Sequence, residues 1–471
     1  MKRPRSSLRL LASWLAMTAA APLAVAVASD WTGYLGGPAH TSASPETAIT
    51  PANAASLTRA WLWTPPAATG SQPAAALNAS PTVASGRVFI GSNTGVFYAL
   101  SETTGKRLWS RNLGHTPSLT CSARGITSTA TVAPDPSRGG TATVYVSGGA
   151  GKLFALDAST GAVVWKRQVT PVSTTENAYY AWSSPTLAAG HIYLGLASQC
   201  DSPLVRGGVV EIDQSTGQVL RRYWAIGAGK VGASVWTSVA ATADGSRVFA
   251  TTGNGDEVAG HDQGDSYAIV RLDGGSMARQ DIWTVPASDL PVDSDFGGSP
   301  TLFSAQVAGV SASLVAACNK NGVLYAWRAG GLAAGPLWRR RIDSAAGPNC
   351  LAAPIAAGGA LYQAGGATTI GGTAVKGAVR RLDPATGAIV WQTGIGAQAL
   401  GSASADGAGV IAVPGYDGSS AAANGVYLLD SATGTLLGLL GSDKTFAQPV
   451  FANGRLLVAT VSAGLSAYAP G

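Results

Sequence analysis

The sequence predicts an all-β fold, an eight-bladed β-propeller of four-stranded antiparallel blades whose ring is closed by an N-terminal strand. Three observations carry this. The hairpin "KLFALDASTGAVVWK" at 152–166 returns as near-copies at 96–110, 209–224, 379–392 and 426–438, and five such copies in order mark a repeat architecture. A second pattern accompanies it, as in "SPTVASGRVFIGS" (80–92), "SSPTLAAGHIYLGL" (183–196) and "QPVFANGRLLVAT" (448–460). Counted from Pro81, equivalent positions fall near Ala130, Pro185, Ser238, Pro300, Pro354, Ser404 and Pro449, which gives eight units of about fifty residues, each written as four short strands.

Taken in order, residues 1–28 read as a targeting segment. Lys2, Arg3, Arg5 and Arg9 make a basic start, an apolar run follows, and Ala26-Val27-Ala28 is a small-residue cleavage site before Ser29. An uncleaved membrane anchor is the alternative, since the run is nearly long enough to span. No later stretch is apolar enough to cross a bilayer, so the expected location is outside the cytoplasm, secreted or in the cell envelope. Residues 29–56 form an N-terminal extension, and 57–471 the propeller. The last unit ends at "LSAYAPG" without the repeated turn or a tryptophan-bearing strand. "LTRAWLWTPP" (57–66) has the missing composition and is expected to supply the outermost strand of that blade, which removes an open sheet edge.

Each hairpin has a local cause. In 152–166 the turn begins at Asp157, whose carboxylate can accept backbone N–H groups, and Thr160 does the same more weakly. Gly161 takes the positive φ that a β-branched residue could not. "AVVW" then forms the next strand, with Trp165 as a large wedge between neighbouring sheets.

Composition narrows the function. Losing the leader takes the formal charge from +6 to +2, because four basic residues leave with it, so a nucleic-acid reading loses its support. Four His (40, 115, 191, 261) show no zinc spacing, and neither a G-x-S-x-G elbow nor a P-loop is present. Four Cys (121, 200, 318, 350) allow two bridges in three pairings in an exported chain.

The Ala-x-Asp-x-x-Thr-Gly-x-x-x-Trp hairpin resembles the tryptophan-docking motif of quinoprotein propellers with pyrroloquinoline quinone (PQQ) repeats, and "DWTGYLGGPAHTSASPETAITPANAASLTRAW" (30–61) is similar to the start of those chains. In such blades the repeated turns lie on one face. The loops leading into each blade, and those between its second and third strands, lie on the other. Arg124, Trp236, Asn254, Asp293, Asp295 and Lys320 all fall on loops of that second face. The resemblance implies roles one residue at a time. Arg124 matches an arginine that contacts the cofactor, and Ser234-x-Trp236 matches the Thr-x-Trp whose indole lies beneath the quinone. Lys320 matches the basic residue beside the quinone carbonyl. Asn254 matches a calcium-binding amide, and Asp293 the general base. Asp201 and Asp295 are further candidate calcium ligands. The implied reaction is oxidation of a small-molecule or polymer alcohol with PQQ and Ca²⁺. The chain has no C-x-x-C-H haem motif, so electrons would leave to a separate acceptor.

The match also departs. Active alcohol dehydrogenases of the family carry two adjacent cysteines, whereas Cys121 is followed by Ser122. The calcium-binding Glu is replaced in "SQCDSPLVRGG" (198–208) by Gln199 or Asp201, and Val292 stands where a Trp precedes the base. These losses support a second reading, a non-catalytic propeller scaffold. Pairing Cys121 with Cys200 and Cys318 with Cys350 is favoured because each pair would join neighbouring blades; free buried thiols are the alternative. The acidic loop "GDEVAGHDQGD" (255–265) reads as a calcium site or as a solvated loop.

Overall fold

The computed structural model describes residues 1, 29–117, 120–172, 178–256, 258, 261–344, 350–441 and 443–471. Residues 2–28, within the segment read as a leader, lie outside these. Eight antiparallel four-stranded sheets follow one another at 82–112, 131–168, 186–224, 240–284, 301–341, 355–395, 404–440 and 450–469, numbered here blades 1 to 8. The eighth is completed by Thr58–Trp63, which pairs antiparallel with Leu465–Ala469, Trp61 opposite Ala467. The closing strand is thus where the sequence puts it. Blade 3 gains a short strand, Tyr179–Tyr180. Blade 6 carries an inserted hairpin, Thr368–Ile370 with Thr373–Val375. The only helical pieces among the described residues are three-residue 3₁₀ turns.

First strands touch their neighbours in the ring and are therefore innermost. Hydroxyls stitch them together. The amide of the residue opening one blade donates to the hydroxyl opening the next: Ser80 to Thr129 (3.1 Å), Thr129 to Ser184 (2.9 Å), Ser184 to Ser238 (2.9 Å), Ser238 to Ser299 (3.0 Å), and Gln448 back to Ser80 (2.9 Å). Two residues on, Thr82, Thr131, Thr186 and Thr301 donate their hydroxyls to a carbonyl of the following blade. The recurring Ser-Pro-Thr is therefore a circumferential hydrogen-bond belt. It satisfies polar groups buried where the strands crowd together.

On the opposite face each tryptophan docks on the next blade. Trp109, Trp165, Trp338 and Trp391 donate Nε1–H to Ala158, Gln214, Pro384 and Ser431 carbonyls at 3.0–3.2 Å. Their rings lie over Gly161, Gly217, Gly387 and Gly434, where a Cβ would come within 2.5–2.6 Å of the indole. The glycine thus serves twice, for its positive φ (66° at Gly387) and for its missing side chain. Trp61 of the closing strand docks in the same way on blade 1, with Nε1–H to Glu102 O at 2.8 Å beside Gly105. The residue two after the tryptophan adds a second bond, Arg111 to Gly161 O, Arg167 to Thr216 O, Arg340 to Gly387 O and Thr393 to Gly434 O.

The N-terminal extension winds around the inner strands. Val132 donates to Thr32 O, Ala241 to Pro38 O, Leu302 to Ala39 O, Ala356 to Thr41 O and Ala405 to Ser42 O, each at 2.8–2.9 Å. His40 is buried with Nδ1 3.0 Å from Pro300 O, and burial pushes its pKa down to about 4. It is a neutral structural group at physiological pH. Both disulfides form with the favoured partners, Cys121–Cys200 between blades 2 and 3 and Cys318–Cys350 between blades 5 and 6.

Candidate functional site

An axial cavity of about 740 Å³ opens on the face opposite the docking turns. Apart from Tyr34, its lining comes from loops leading into blades or from the ends and connecting loops of second and third strands. The repeat register explains much of it. The residue two before each belt position lines the cavity in every blade, and its identity changes around the ring. It is Trp182 and Trp236 in blades 3 and 4, and Leu351, Leu400 and Phe446 in blades 6, 7 and 8. The aromatic side also carries the charge.

Arg124, Asp201, Ser234, Trp236, Asp293, Asp295 and Lys320 all line this cavity. Asn254 joins them at its edge. Its Nδ2 donates to Asp293 Oδ1 at 3.0 Å and to Asp201 Oδ2 at 3.2 Å. Lys320 Nζ lies 2.8 Å from Asp293 Oδ1, 2.6 Å from Asp295 Oδ1 and 5.1 Å from the centre of the Trp236 ring. Trp236 Nε1 donates to Asp295 Oδ2 at 2.7 Å. Ser234 Oγ accepts the Ser198 N–H at 3.1 Å, and Ser198 Oγ in turn donates to Asp201 Oδ1. Asp201, Ser234, Trp236, Asn254, Asp293, Asp295 and Lys320 thus belong to one connected network, which Arg124 adjoins through Trp182.

The two aspartates of "DSD" differ in access. The side chain of Asp295 is 2% exposed and that of Asp293 47%. Burial pushes the Asp295 pKa up to about 6, against the pull of Lys320 and the Trp236 indole. Lys320 is held above its ordinary value. Burial opposes its charge, but Asp295 and Asp293 outweigh that. Both oxygens of Asp295 are engaged, one by the ammonium and one by the indole, whereas Asp293 faces the open cavity. Asp201 and Asp293 both stand in left-handed backbone (φ 56° and 51°), as does Ala233 beside Ser234 (φ 55°). Non-glycine residues hold that conformation at a cost and cluster at functional sites.

Two lining groups, Trp182 and Tyr34, lack a sequence assignment, and Gln199, read as a possible replacement for a calcium-binding Glu, has a structural partner. Trp182 carries the Arg124 guanidinium 4.9 Å above its ring and donates to Ser198 O at 3.1 Å. The signal was in the register, since "AWSS" and "VWTS" put Trp182 and Trp236 at the same place in successive blades. Gln199 is buried and donates to Ser122 O at 2.7 Å, holding the two cysteine loops together beside their disulfide. Tyr34 comes from the extension. Burial raises its phenol pKa, with Ser402 and Ser299 as hydrogen-bond partners.

The donor chemistry suits an oxygen-liganded cation. Two carboxylates converge on one carboxamide, and Asn254 Oδ1 is buried without a hydrogen-bond partner. Hard cations such as Ca²⁺ take carboxylate and amide oxygens. Among the described residues no group of three or more His, Cys, Asp or Glu converges, so the protein offers a partial shell that a bound ligand or water would complete. A planar anionic ligand also fits. The Trp236 face is fixed through its Nε1–H, and Arg124 Nε is buried without a partner.

Eight four-stranded blades with a charged axial cavity on one face define an eight-bladed β-propeller. The family described as "Glucose/ethanol/alcohol dehydrogenase, beta-propeller domain" matches residues 31–331, and the chain belongs to it. The fold is similar to quinohemoprotein alcohol dehydrogenase from Comamonas testosteroni (16% identity, 93% of this chain and 80% of that one, TM-score 0.70). It is similar to a europium-containing methanol dehydrogenase (14%, 94% and 98%, 0.73). It is also similar, at a lower TM-score, to BamB from Moraxella catarrhalis (14%, 88% and 99%, 0.55). No curated protein sequence matches the chain.

Proposed function

We propose that the protein is an exported oxidoreductase that oxidises an alcohol group with PQQ and Ca²⁺ and passes the electrons to a separate acceptor. The observation that carries this is Asp293, an accessible carboxylate oriented by Lys320 and Asn254 beside the Trp236 face. When bound, the quinone supplies the acceptor for the hydride that leaves the carbinol carbon, and calcium supplies a Lewis acid. Arg124 and Trp236 would hold the quinone, and Asp201 and Asn254 the cation. Asp293 takes the hydroxyl proton, for which its exposure and its hydrogen-bonded orientation suit it. Lys320 keeps a positive charge at the reacting end of the cavity. Asp295 fixes Lys320 and the Trp236 indole, and we assign it this orienting role in place of a cation ligand.

The test is reconstitution. Apoprotein mixed with PQQ and Ca²⁺ is expected to show a bound-quinone spectrum and to reduce an electron-accepting dye with members of an alcohol panel. Asp293→Asn is expected to lower turnover by about 10²–10⁴-fold while quinone binding persists. Absence of quinone binding at micromolar excess would remove the enzyme reading and leave the scaffold. Normal turnover in Asp293→Asn would remove Asp293 as the base.

A further inference from the structure

Ser29 is 4% exposed. Its backbone nitrogen donates to Asn453 Oδ1 at 2.6 Å. Its hydroxyl donates to Glu46 Oε2 at 2.8 Å and accepts the Asn453 N–H at 3.1 Å. Asn453 sits in the left-handed turn between the first two strands of blade 8 (φ 48°), and its Nδ2 donates to Asp30 Oδ1 at 3.1 Å. Glu46 Oε2 also accepts the Gly454 N–H at 2.6 Å. From blade 1, Glu102 reaches the same place. It is 5% exposed, interacts with Asn453, Arg455 and Asp30, and its Oε1 is buried without a partner. Asp406 adjoins Glu46 from blade 7. Glu46 thus holds the Ser29 hydroxyl, Asn453 ties Asp30 and Glu102 to the same turn, and Asp406 adjoins Glu46, with Arg455 as the nearby cation and Arg87 held on Ser85 O.

We propose that this pocket is the receptor for the protein's own processed N-terminus, the α-ammonium of Ser29 released by cleavage after Ala28. The inference rests on the leader reading and is independent of the cofactor. Hydrolysis of the Ala28–Ser29 bond by a leader-cleaving endopeptidase consumes one water. It leaves a carboxylate on Ala28 and an amine on Ser29, and the amine takes up a proton. As an amide, Ser29 nitrogen has one N–H, and Asn453 accepts it. As an ammonium it has three, and its charge answers the excess of carboxylates. Charge-assisted hydrogen bonds are roughly twice as strong as neutral ones.

The pocket joins the extension to blade 8 at its seam with blade 1, so cleavage completes the closure of the ring. The sign of the pH dependence follows. Carboxylates raise the folded-state pKa of an α-amine above its ordinary value of about 7.7–8.0. The stabilisation is therefore full below that value and lost as pH rises through the raised one.

The experiment compares the exported protein, a chain beginning at Ser29 with a free amine, and a chain with two residues added ahead of Ser29. Terminal sequencing and intact mass of the exported protein are expected to begin at Ser29. The free-amine chain is expected to melt about 1–3 °C above the extended one at pH 6.5, with the gap closing by pH 10 and absent in Glu46→Gln. If Glu46→Gln fails to fold, Asn453→Gly, which keeps the left-handed turn, takes its place. An exported protein beginning elsewhere overturns the leader reading. One beginning at Ser29 but with both chains melting alike at pH 6.5, or with a gap unchanged at pH 10, overturns the capture of the ammonium.

Discussion

The interfaces between blades 5, 6 and 7 and those between blades 3, 4 and 5 solve one problem in two ways. At the first pair, Trp338 and Trp391 dock over Gly387 and Gly434. At the second pair the tryptophan position holds Arg221 and Asp281. Arg221 turns back to the fully buried Glu211 of its own blade at 2.9 Å. Asp281 crosses to blade 5 and accepts the Leu332 and Ala333 N–H groups at 2.6 and 3.0 Å. The glycine position of blade 4 holds Met277, buried and at φ 59°. The charged interfaces belong to the blades that carry Asp201, Trp236, Asn254, Asp293 and Lys320. The tryptophan interfaces join blade 5 to blade 6 and blade 6 to blade 7, and in blades 6 and 7 the positions before the belt in the cavity wall are Leu351 and Leu400. The repeat is most regular where the chain has only to build a wall, and it yields where loops carry charge.

The sharpest way to test this contrast is pH. Trp338→Ala is expected to cost about 3–5 kcal/mol in denaturant unfolding, equally at pH 5 and pH 8, because packing alone is lost. Lys320→Met is expected to cost about 3–5 kcal/mol at pH 8, where it leaves Asp295 charged and buried, and clearly less at pH 5. The sign follows from a folded-state pKa for Asp295, about 6, above its unfolded value. The bound proton stabilises the fold fully at low pH, and that contribution disappears as pH rises through the folded value. Equal pH dependence in the two variants would erase the distinction. A smaller effect, about 1–3 kcal/mol, is expected of Asp281→Ala, which leaves two N–H groups without their acceptor. Smaller still are two glycine replacements. Gly387→Ala brings a Cβ to 2.5 Å from the Trp338 ring at φ 66° and should lower stability by at least about 1 kcal/mol. Gly275→Ala in the blade 4 turn meets only Asp273 Oδ1 at 3.5 Å and should stay within about 0.5 kcal/mol.

Most of the fold was legible because repeats write the same physics several times. The Asp157 turn, with its Oδ1 accepting from Ser159 and Thr160, recurs at Asp213, Asp383 and Asp430. The closing strand could be found because Trp61 supplies the tryptophan that the last blade lacks. The path of the extension could not, because it is held by backbone bonds from Val132, Ala241 and Leu302 that any residue can make. Among the site residues, those resembling known motifs converge as their loops suggested. Trp182 was harder to see, since it looks like core until the register of neighbouring blades is compared, and Gln199, read as a possible cation ligand, instead donates to Ser122 O. The replacement of tryptophan by Asp281 was invisible for a different reason. Its partners are the N–H groups of a 3₁₀ turn at Leu332–Ala334, which exists only once the chain has folded.

The pairing of Trp61 with Ala467 also sets an order of events. Strand Thr58–Trp63 is synthesised before any blade, yet its partner emerges roughly four hundred residues later, a separation that makes ring closure a slow, late step. Until then blade 8 has no outer strand and the Glu102 carbonyl of blade 1 has no indole to accept from. Early segments must wait, uncommitted, on the far side of the membrane if the chain is exported.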